Sequence, residues 1–303
     1  MPEGKTRIDL LLLARSLAES RAQAQRLVMA GQVRANGQIV PKPSTTVADD
    51  AQIEIEWGPR FVSRGGEKLQ AALQAFGLNV AGLVCADVGA STGGFTDCLL
   101  QNGAARVYAI DVGKGILHWK LRQDSRVVVM EGINARYVER LPEPVTLATI
   151  DASFISLKVL LPVVKGWLSF LPLGTAEREA GSEIVALIKP QFEAGRREAA
   201  RGKGVIRDAE IHRRVLLELR DFAQKEGYGV RGLMRSPLLG PKGNVEFLVW
   251  LTLGEIAAEV GMEQILHVTV GTTVPRCNGK RKFGYTSLPY DRPHPQLLYH
   301  RPH

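Results

Sequence analysis

An α/β fold with a mostly parallel sheet, preceded by a small α+β unit, follows from three features of this sequence. Strand-like and helix-like stretches alternate from residue 61 to residue 254, which places helices on both faces of a parallel sheet. Asn36-Gly37 splits two short β runs in the N-terminal stretch, a strong two-residue hairpin signal. A glycine-rich turn, DVGASTGGF at 87–95, follows the apolar run GLVCA and opens a helix-like segment.

The N-terminal unit comes first. Ile8, Leu11, Leu12 and Leu17 predict a first helix and its exit. Ser20 with Gln23 forms a capping box for a second helix, with Ala24, Leu27 and Val28 on its inner face and Gly31 placed to end it. The alternation QIEIEW closes the unit, and Gly58-Pro59 punctuates the boundary. The expected division is a small unit at 1–58, a linker at 59–64, a main domain at 65–256 and an extension at 257–303, disordered from about 275.

In the main domain strands are expected at 83–88, 106–112, 127–131, 145–151, 184–189, 229–235 and 245–252. Helices are expected at 66–76, 94–102, 156–170 and 208–226. The last run, NVEFLVWLTL, follows the turn-like LLGPKGN, so it pairs back on the strand before it and runs antiparallel. The stretch 174–183 reads as a variable loop.

A strand ending in an acid and a glycine-rich turn builds a nucleotide-shaped pocket, because glycines let backbone approach a ligand and the next helix offers free N–H groups to an anion. Ser91 occupies the middle position of the glycine run, so the dinucleotide pattern is not met. That tilts the pocket away from NAD and toward an adenosyl amino acid, S-adenosylmethionine.

Four charged residues fall where a parallel-sheet site forms, beyond the carboxyl ends of the strands. Asp151 ends the apolar strand VTLATI, and Lys189 ends EIVALI. Glu246 lies near the start of the reversed final strand, a charge within an apolar run. Lys68 begins the helix before the first strand. Two charges of each sign tolerate burial if they pair.

Composition sets outer bounds. At 303 residues, 45% hydrophobic and 23% charged, the chain has room for two domains with a sizeable core. Cys85, Cys98 and Cys277 form no C-x-x-C pair, which argues for a reducing, cytoplasmic setting and against a disulfide scaffold or structural zinc; no metal cluster is evident. MPEGKTRID lacks the apolar core of a signal peptide, and the apolar stretch 156–173 carries Lys158, Lys165 and two prolines, so no membrane span is expected. The net charge is +8, and six basic residues against one acidic sit in 276–303. Such an excess favours a polyanionic partner.

Residues 5–57 resemble the S-four-type RNA-binding domain through Arg7-x-Asp9, Ser20-Arg21, Gln25, Gly31-x-Val33 and Asn36-Gly37. The resemblance implies RNA binding, with Arg7, Arg21, Arg26 and Arg34 positioned for phosphates. The main domain is similar to class I methyltransferases with a Rossmann-like sheet, and among them to the FtsJ-like ribose 2′-O-methyltransferases, whose tetrad is Lys-Asp-Lys-Glu in chain order. FVSRGGEKL, DVGASTGGFTDCLL, DASFISL, KPQFE and GPKGNVEFLVWL carry the likeness, and with the N-terminal unit they resemble the TlyA (hemolysin A) family of rRNA 2′-O-methyltransferases.

That resemblance implies Lys68, Asp151, Lys189 and Glu246 as the catalytic tetrad. It implies an S-adenosylmethionine site at Asp87, Gly89, Ser91, Thr92, Gly93 and Phe95, with Asp111 on the ribose hydroxyls and Asn134 near the adenine. The partner implied is ribosomal RNA or a ribosomal subunit, with no membrane involved. Arg64 precedes the Gly65-Gly66 pair, and the segment 194–207 carries Arg196, Arg197, Arg201 and Lys203 between glycines; both are expected to contact RNA, the latter as a flexible lid. A non-catalytic assembly factor is the alternative, disfavoured by an intact tetrad and turn. A membrane-active protein is disfavoured by the lack of any strongly apolar amphipathic helix.

Overall fold

The computed structural model of the chain describes residues 4–56, 58–169, 182–253 and 261–270. The expected variable loop at 174–183 lies almost wholly outside these residues, as does the tail from 271, including the part expected to be disordered.

The N-terminal unit runs β1 (Lys5–Arg7), α1 (Ile8–Ala14), α2 (Arg21–Met29), β2 (Val33–Ala35), β3 (Gln38–Ile39), β4 (Thr46–Ala48) and β5 (Ile53–Ile55). Ser20 caps α2 by accepting the Gln23 N–H at 3.2 Å, while the Gln23 side chain reaches back to the Glu19 N–H at 2.6 Å. Asn36 and Gly37 both take positive φ, 50° and 77°, the backbone of a primed hairpin turn between β2 and β3. Ile8, Leu12, Ala24, Val28 and Val33 close a small core.

A fully buried Asp9 ties the two helices together. It accepts two hydrogen bonds from Arg7, one from Arg21 and one from Gln25, all at 3.0–3.1 Å. The Arg7 guanidinium, first among these partners, holds the carboxyl well below the ordinary carboxylate range against the cost of burial. This revises the expectation for the arginines. Arg7 and Arg21 spend N–H groups on an internal acid, and Arg34 pairs with Glu56, although all three keep part of their surface in solvent. Arg26 is exposed. Asp9→Ala is expected to cost about 2–3 kcal/mol in urea unfolding at neutral pH, because two arginines and an amide lose their shared acceptor; an unchanged midpoint would show that the carboxylate holds nothing.

The main domain holds α3 (Gly65–Phe76), β6 (Val84–Val88), α4 (Gly94–Gln101), β7 (Arg106–Asp111), α5 (Trp119–Arg122), β8 (Val127–Glu131) and β9 (Leu147–Ile150). It continues with α6 (Leu157–Lys165), β10 (Glu183–Ile188), α7 (Pro190–Glu193), α8 (Arg196–Arg201), α9 (Ala209–Lys225), β11 (Tyr228–Arg235), β12 (Phe247–Leu253) and α10 (Met262–Val270). The seven strands stand in the order β11-β12-β10-β9-β6-β7-β8, with β12 antiparallel to both neighbours and the other pairings parallel. Strands buried on both sides feed two cores. Along β10, Ile184, Ala186 and Ile188 face one core with Leu160, Leu161, Leu216 and Leu219; Val185 and Leu187 face the other with Leu69, Leu73, Cys98 and Leu99.

Three expectations change. The helix expected over 156–170 stops at Lys165, where Gly166 begins a turn that buries Trp167 and lets its indole N–H bond Val138 O at 2.8 Å. The flexible loop expected at 194–207 contains α8, since Arg-Arg-Glu-Ala-Ala-Arg consists of good helix formers between glycines. Glu246 precedes β12 instead of lying within it.

Candidate active site

The site forms where two helices begin side by side. Gly65 and Gly66 open α3, and Gly94 opens α4. A Cβ on Gly94 would lie 2.9 Å from Gly66 N, and one on Gly66 would lie 2.3 Å from the Phe61 ring. Only glycines allow this approach, and it brings Lys68 to the turn after β6. The turn itself needs Gly89, whose φ is +82° and whose absent Cβ would meet Asp151 O at 2.7 Å. Strand end and turn are therefore in backbone contact.

A cavity of about 370 Å³ opens above this contact. Its wall includes Arg64, Gly89, Ser91, Thr92 and Phe95 from the first half of the domain, and Lys68, Asp151, Ser153, Lys189 and Glu246 from four different segments. The four charged residues meet as two ion pairs. Lys68 Nζ lies 2.6 Å from Glu246 Oε2, and Lys189 Nζ lies 2.6 Å from Asp151 Oδ1. Lys189 also donates to Ser153 Oγ at 2.9 Å, which fixes its amine over the end of β9.

Glu246 is fully buried, and its Oε1 has no hydrogen-bond partner among the described residues. That oxygen sits against Gly240, where a Cβ would approach it to 1.9 Å. A buried carboxylate oxygen left open in a cavity wall is an acceptor waiting for a donor.

Other expected cofactor residues stand behind the wall. Asp87 is wholly buried and accepts hydrogen bonds from Thr96 Oγ1 at 2.7 Å and Thr149 Oγ1 at 3.1 Å, so it braces the turn from beneath. Gly93 is buried, with φ +96°, and a Cβ there would overlap Leu121. Asp111 is half-buried at the end of β7; it accepts the Ser91 N–H at 2.8 Å and the Gly113 N–H at 2.7 Å. Asn134 caps the short turn 135–137 by accepting the Arg136 N–H at 3.1 Å.

Burial pushes the Asp87 carboxyl up to about 7, with the Asp151 carboxylate adding to the rise and the Thr96 and Thr149 hydroxyls opposing it. The folded chain then keeps a proton that the unfolded chain releases near pH 4. Stability falls as pH rises through that window, by at most about 1.4 kcal/mol per unit, and levels off above 7. Asp87→Asn should remove this slope, so variant and parent unfolding free energies compared from pH 5 to 8 should diverge; parallel curves would show the carboxyl ionised throughout.

Phe154 escaped the sequence reading. It is 90% exposed, takes φ +64°, and packs its ring 5.0 Å from Phe192, three residues beyond Asp151. An aromatic in a loop has no periodicity to mark it; the signal available was its place just after a strand-ending acid. Ser153, Gly240 and Leu239 at the cavity wall were missed for the same reason.

Residues 61–253 match the model of the FtsJ-like methyltransferases. The chain belongs to that family. Residues 6–53 match the S4 domain. This FtsJ-like chain is 44% identical over 270 residues to the 16S/23S rRNA (cytidine-2′-O)-methyltransferase TlyA of Mycobacterium tuberculosis, covering 87% of this chain and 96% of the relative. It is 39% identical to Hemolysin A of Brachyspira hyodysenteriae over 80% of this chain and 98% of that one. A solved structure from Streptococcus thermophilus, described under the hemolysin name, superposes with a TM-score of 0.64 at 42% identity, covering 88% and 95% of the two chains.

The methyl donor of FtsJ-like enzymes, S-adenosylmethionine, suits the residues present. Gly89 keeps the turn free of a side chain at the cavity, Asp111 holds its carboxylate against the turn at Ser91, and Glu246 Oε1 is an open acceptor in a wall residue.

Proposed function

We propose that this protein transfers a methyl group from S-adenosylmethionine to the ribose 2′-hydroxyl of a cytidine in ribosomal RNA, in the cytoplasm. The observation that carries the reading is the meeting of two Lys–carboxylate pairs, Lys68–Glu246 buried and Lys189–Asp151 partly exposed, at one cavity beside the glycine turn. The names of relatives at 44% and 33% identity support the rRNA cytidine as substrate. No described helix is long and apolar enough to cross a membrane.

S-adenosylmethionine, when bound, supplies an electrophilic methyl group on its sulfonium, which leaves alignment and proton handling to the chain. Gly89, Ser91, Thr92 and Phe95 would hold it, with Asp111 for the ribose hydroxyls. Lys189 orients the 2′-hydroxyl of the RNA and, as the free amine, accepts its proton; Asp151, 2.6 Å away, fixes the amine and balances the charge of the ammonium that forms. Glu246 Oε1 accepts a sugar hydroxyl, while Lys68 keeps the carboxylate in place from the other side. Phe154 offers a free ring face to a base beside the reacting sugar.

Phe154→Ala should therefore raise KM for RNA by about 5- to 150-fold, the worth of one base stacked on an aromatic ring, with cofactor affinity unchanged. Phe154→Tyr should restore it; no rise in KM for the alanine variant would remove the ring from substrate binding. The reading as a whole is tested by incubating the full chain with methyl-labelled S-adenosylmethionine and rRNA transcribed in vitro, or isolated subunits. Label in RNA supports it, and no label on any of these despite cofactor binding by calorimetry overturns it.

A further inference from the structure

Beside the cavity, two lysines project from strained backbone. Lys203 has φ 51° and Lys242 has φ 60°, a region that side-chain-bearing residues seldom enter and that costs energy unless the surroundings impose it. Both are exposed, and neither makes an ion pair among the described residues. They lie 39 positions apart in sequence, on segments that adjoin in space. A Cβ on Gly204, the residue after Lys203, would lie 3.9 Å from Lys242 Nζ.

Asn244 locks the two loops together. It is 3% exposed, and its amide spans both segments: Nδ2 donates to Gly204 O at 2.9 Å and Pro241 O at 3.1 Å, while Oδ1 accepts the Ile206 N–H at 3.1 Å. The second loop also forms the cavity wall at Gly240 and Pro241, and Asn244 stands two residues before Glu246, another wall residue.

Two exposed lysines on adjoining segments, with no ion-pair partner among the described residues, leave positive charge unbalanced in the free protein. An anion lying between them restores the balance. We propose that Lys203 and Lys242 form a two-lysine clamp for an RNA backbone phosphate next to the reacting nucleotide, kept in register with Glu246 by Asn244. The clamp rests on the reading of the chain as an RNA methyltransferase and adds a specific phosphate contact to it.

The test uses the full-length chain and rRNA transcribed in vitro, with Lys203→Gln, Lys242→Gln and the double variant. RNA affinity is measured as a function of salt, beside methyl-transfer kinetics, cofactor calorimetry and thermal unfolding. Each neutralisation should weaken RNA binding by about 3- to 10-fold and flatten the log affinity against log salt slope by about 0.7–0.9, the value of one released counterion. KM for RNA should rise while kcat and cofactor affinity stay the same, and Lys242→Arg should retain binding. Melting temperatures equal to or above the parent's would exclude a folding defect. An unchanged slope in the folded double variant overturns the clamp. So does saturation of the site by millimolar inorganic phosphate at constant ionic strength with RNA binding indifferent to the substitutions, which would mark a free-anion site. If the parent methylates no RNA but the slope still falls in the variants, the clamp stands and the methyltransferase reading fails.

Discussion

Lys189→Ala is expected to lower kcat for methyl transfer by about 10³-fold while leaving S-adenosylmethionine affinity within a factor of two or so of the parent, the size expected when a positioned proton-handling group is deleted. The lysine directly follows β10, its amine is fixed by Asp151 Oδ1 at 2.6 Å and Ser153 Oγ at 2.9 Å, and it lines the same cavity as the glycine turn. Its removal also leaves Asp151 without its cation, but Asp151 is partly exposed and can rehydrate, so the fold should survive. Single-turnover kinetics with calorimetry on the same preparation separate the two effects. Turnover within about tenfold of the parent would take Lys189 out of the chemistry.

Gly89→Ala is expected to strike cofactor binding and catalysis together. The added methyl group meets backbone, not a movable side chain: Asp151 O would lie 2.7 Å away and Ala152 Cα 3.0 Å away. The left-handed φ of +82° adds about 1–2 kcal/mol of strain for any residue with a Cβ. Either the turn or the end of β9 must shift, and each carries part of the site. Cofactor affinity should fall by about 100-fold, with activity at saturating cofactor also reduced, because Asp151 moves with its backbone. Equal cofactor affinity in calorimetry would mean that the turn takes no part in the pocket.

The sheet was legible because its strands are buried on both sides. Runs such as EIVALI and VTLATI admit no other placement, and their terminal Lys189 and Asp151 follow to the carboxyl edge. Glu246 was found for a related reason, as a charge beside an apolar run, although it stands one residue outside β12. What stayed hidden depends on contacts between distant segments. Asp87 reads as a pocket residue in sequence, yet Thr96 and Thr149 draw it beneath the turn. Arg7 and Arg21 read as phosphate ligands, yet a buried Asp9 claims them. The basic segment after Gly195 reads as flexible because its glycines stand out, whereas its arginines, alanines and glutamate favour α8. Asn244 gives no local signal, since its three partners lie up to 40 residues away.

Alkaline hydrolysis of the labelled RNA reads directly which atom has received the methyl group. A ribose 2′-hydroxyl that has been methylated cannot attack its neighbouring phosphodiester, so the bond survives. The account predicts label confined to an alkali-resistant dinucleotide whose first base is cytosine, and none from the Lys189→Ala chain. Label released in single nucleotides would place the methyl group on a base and contradict it.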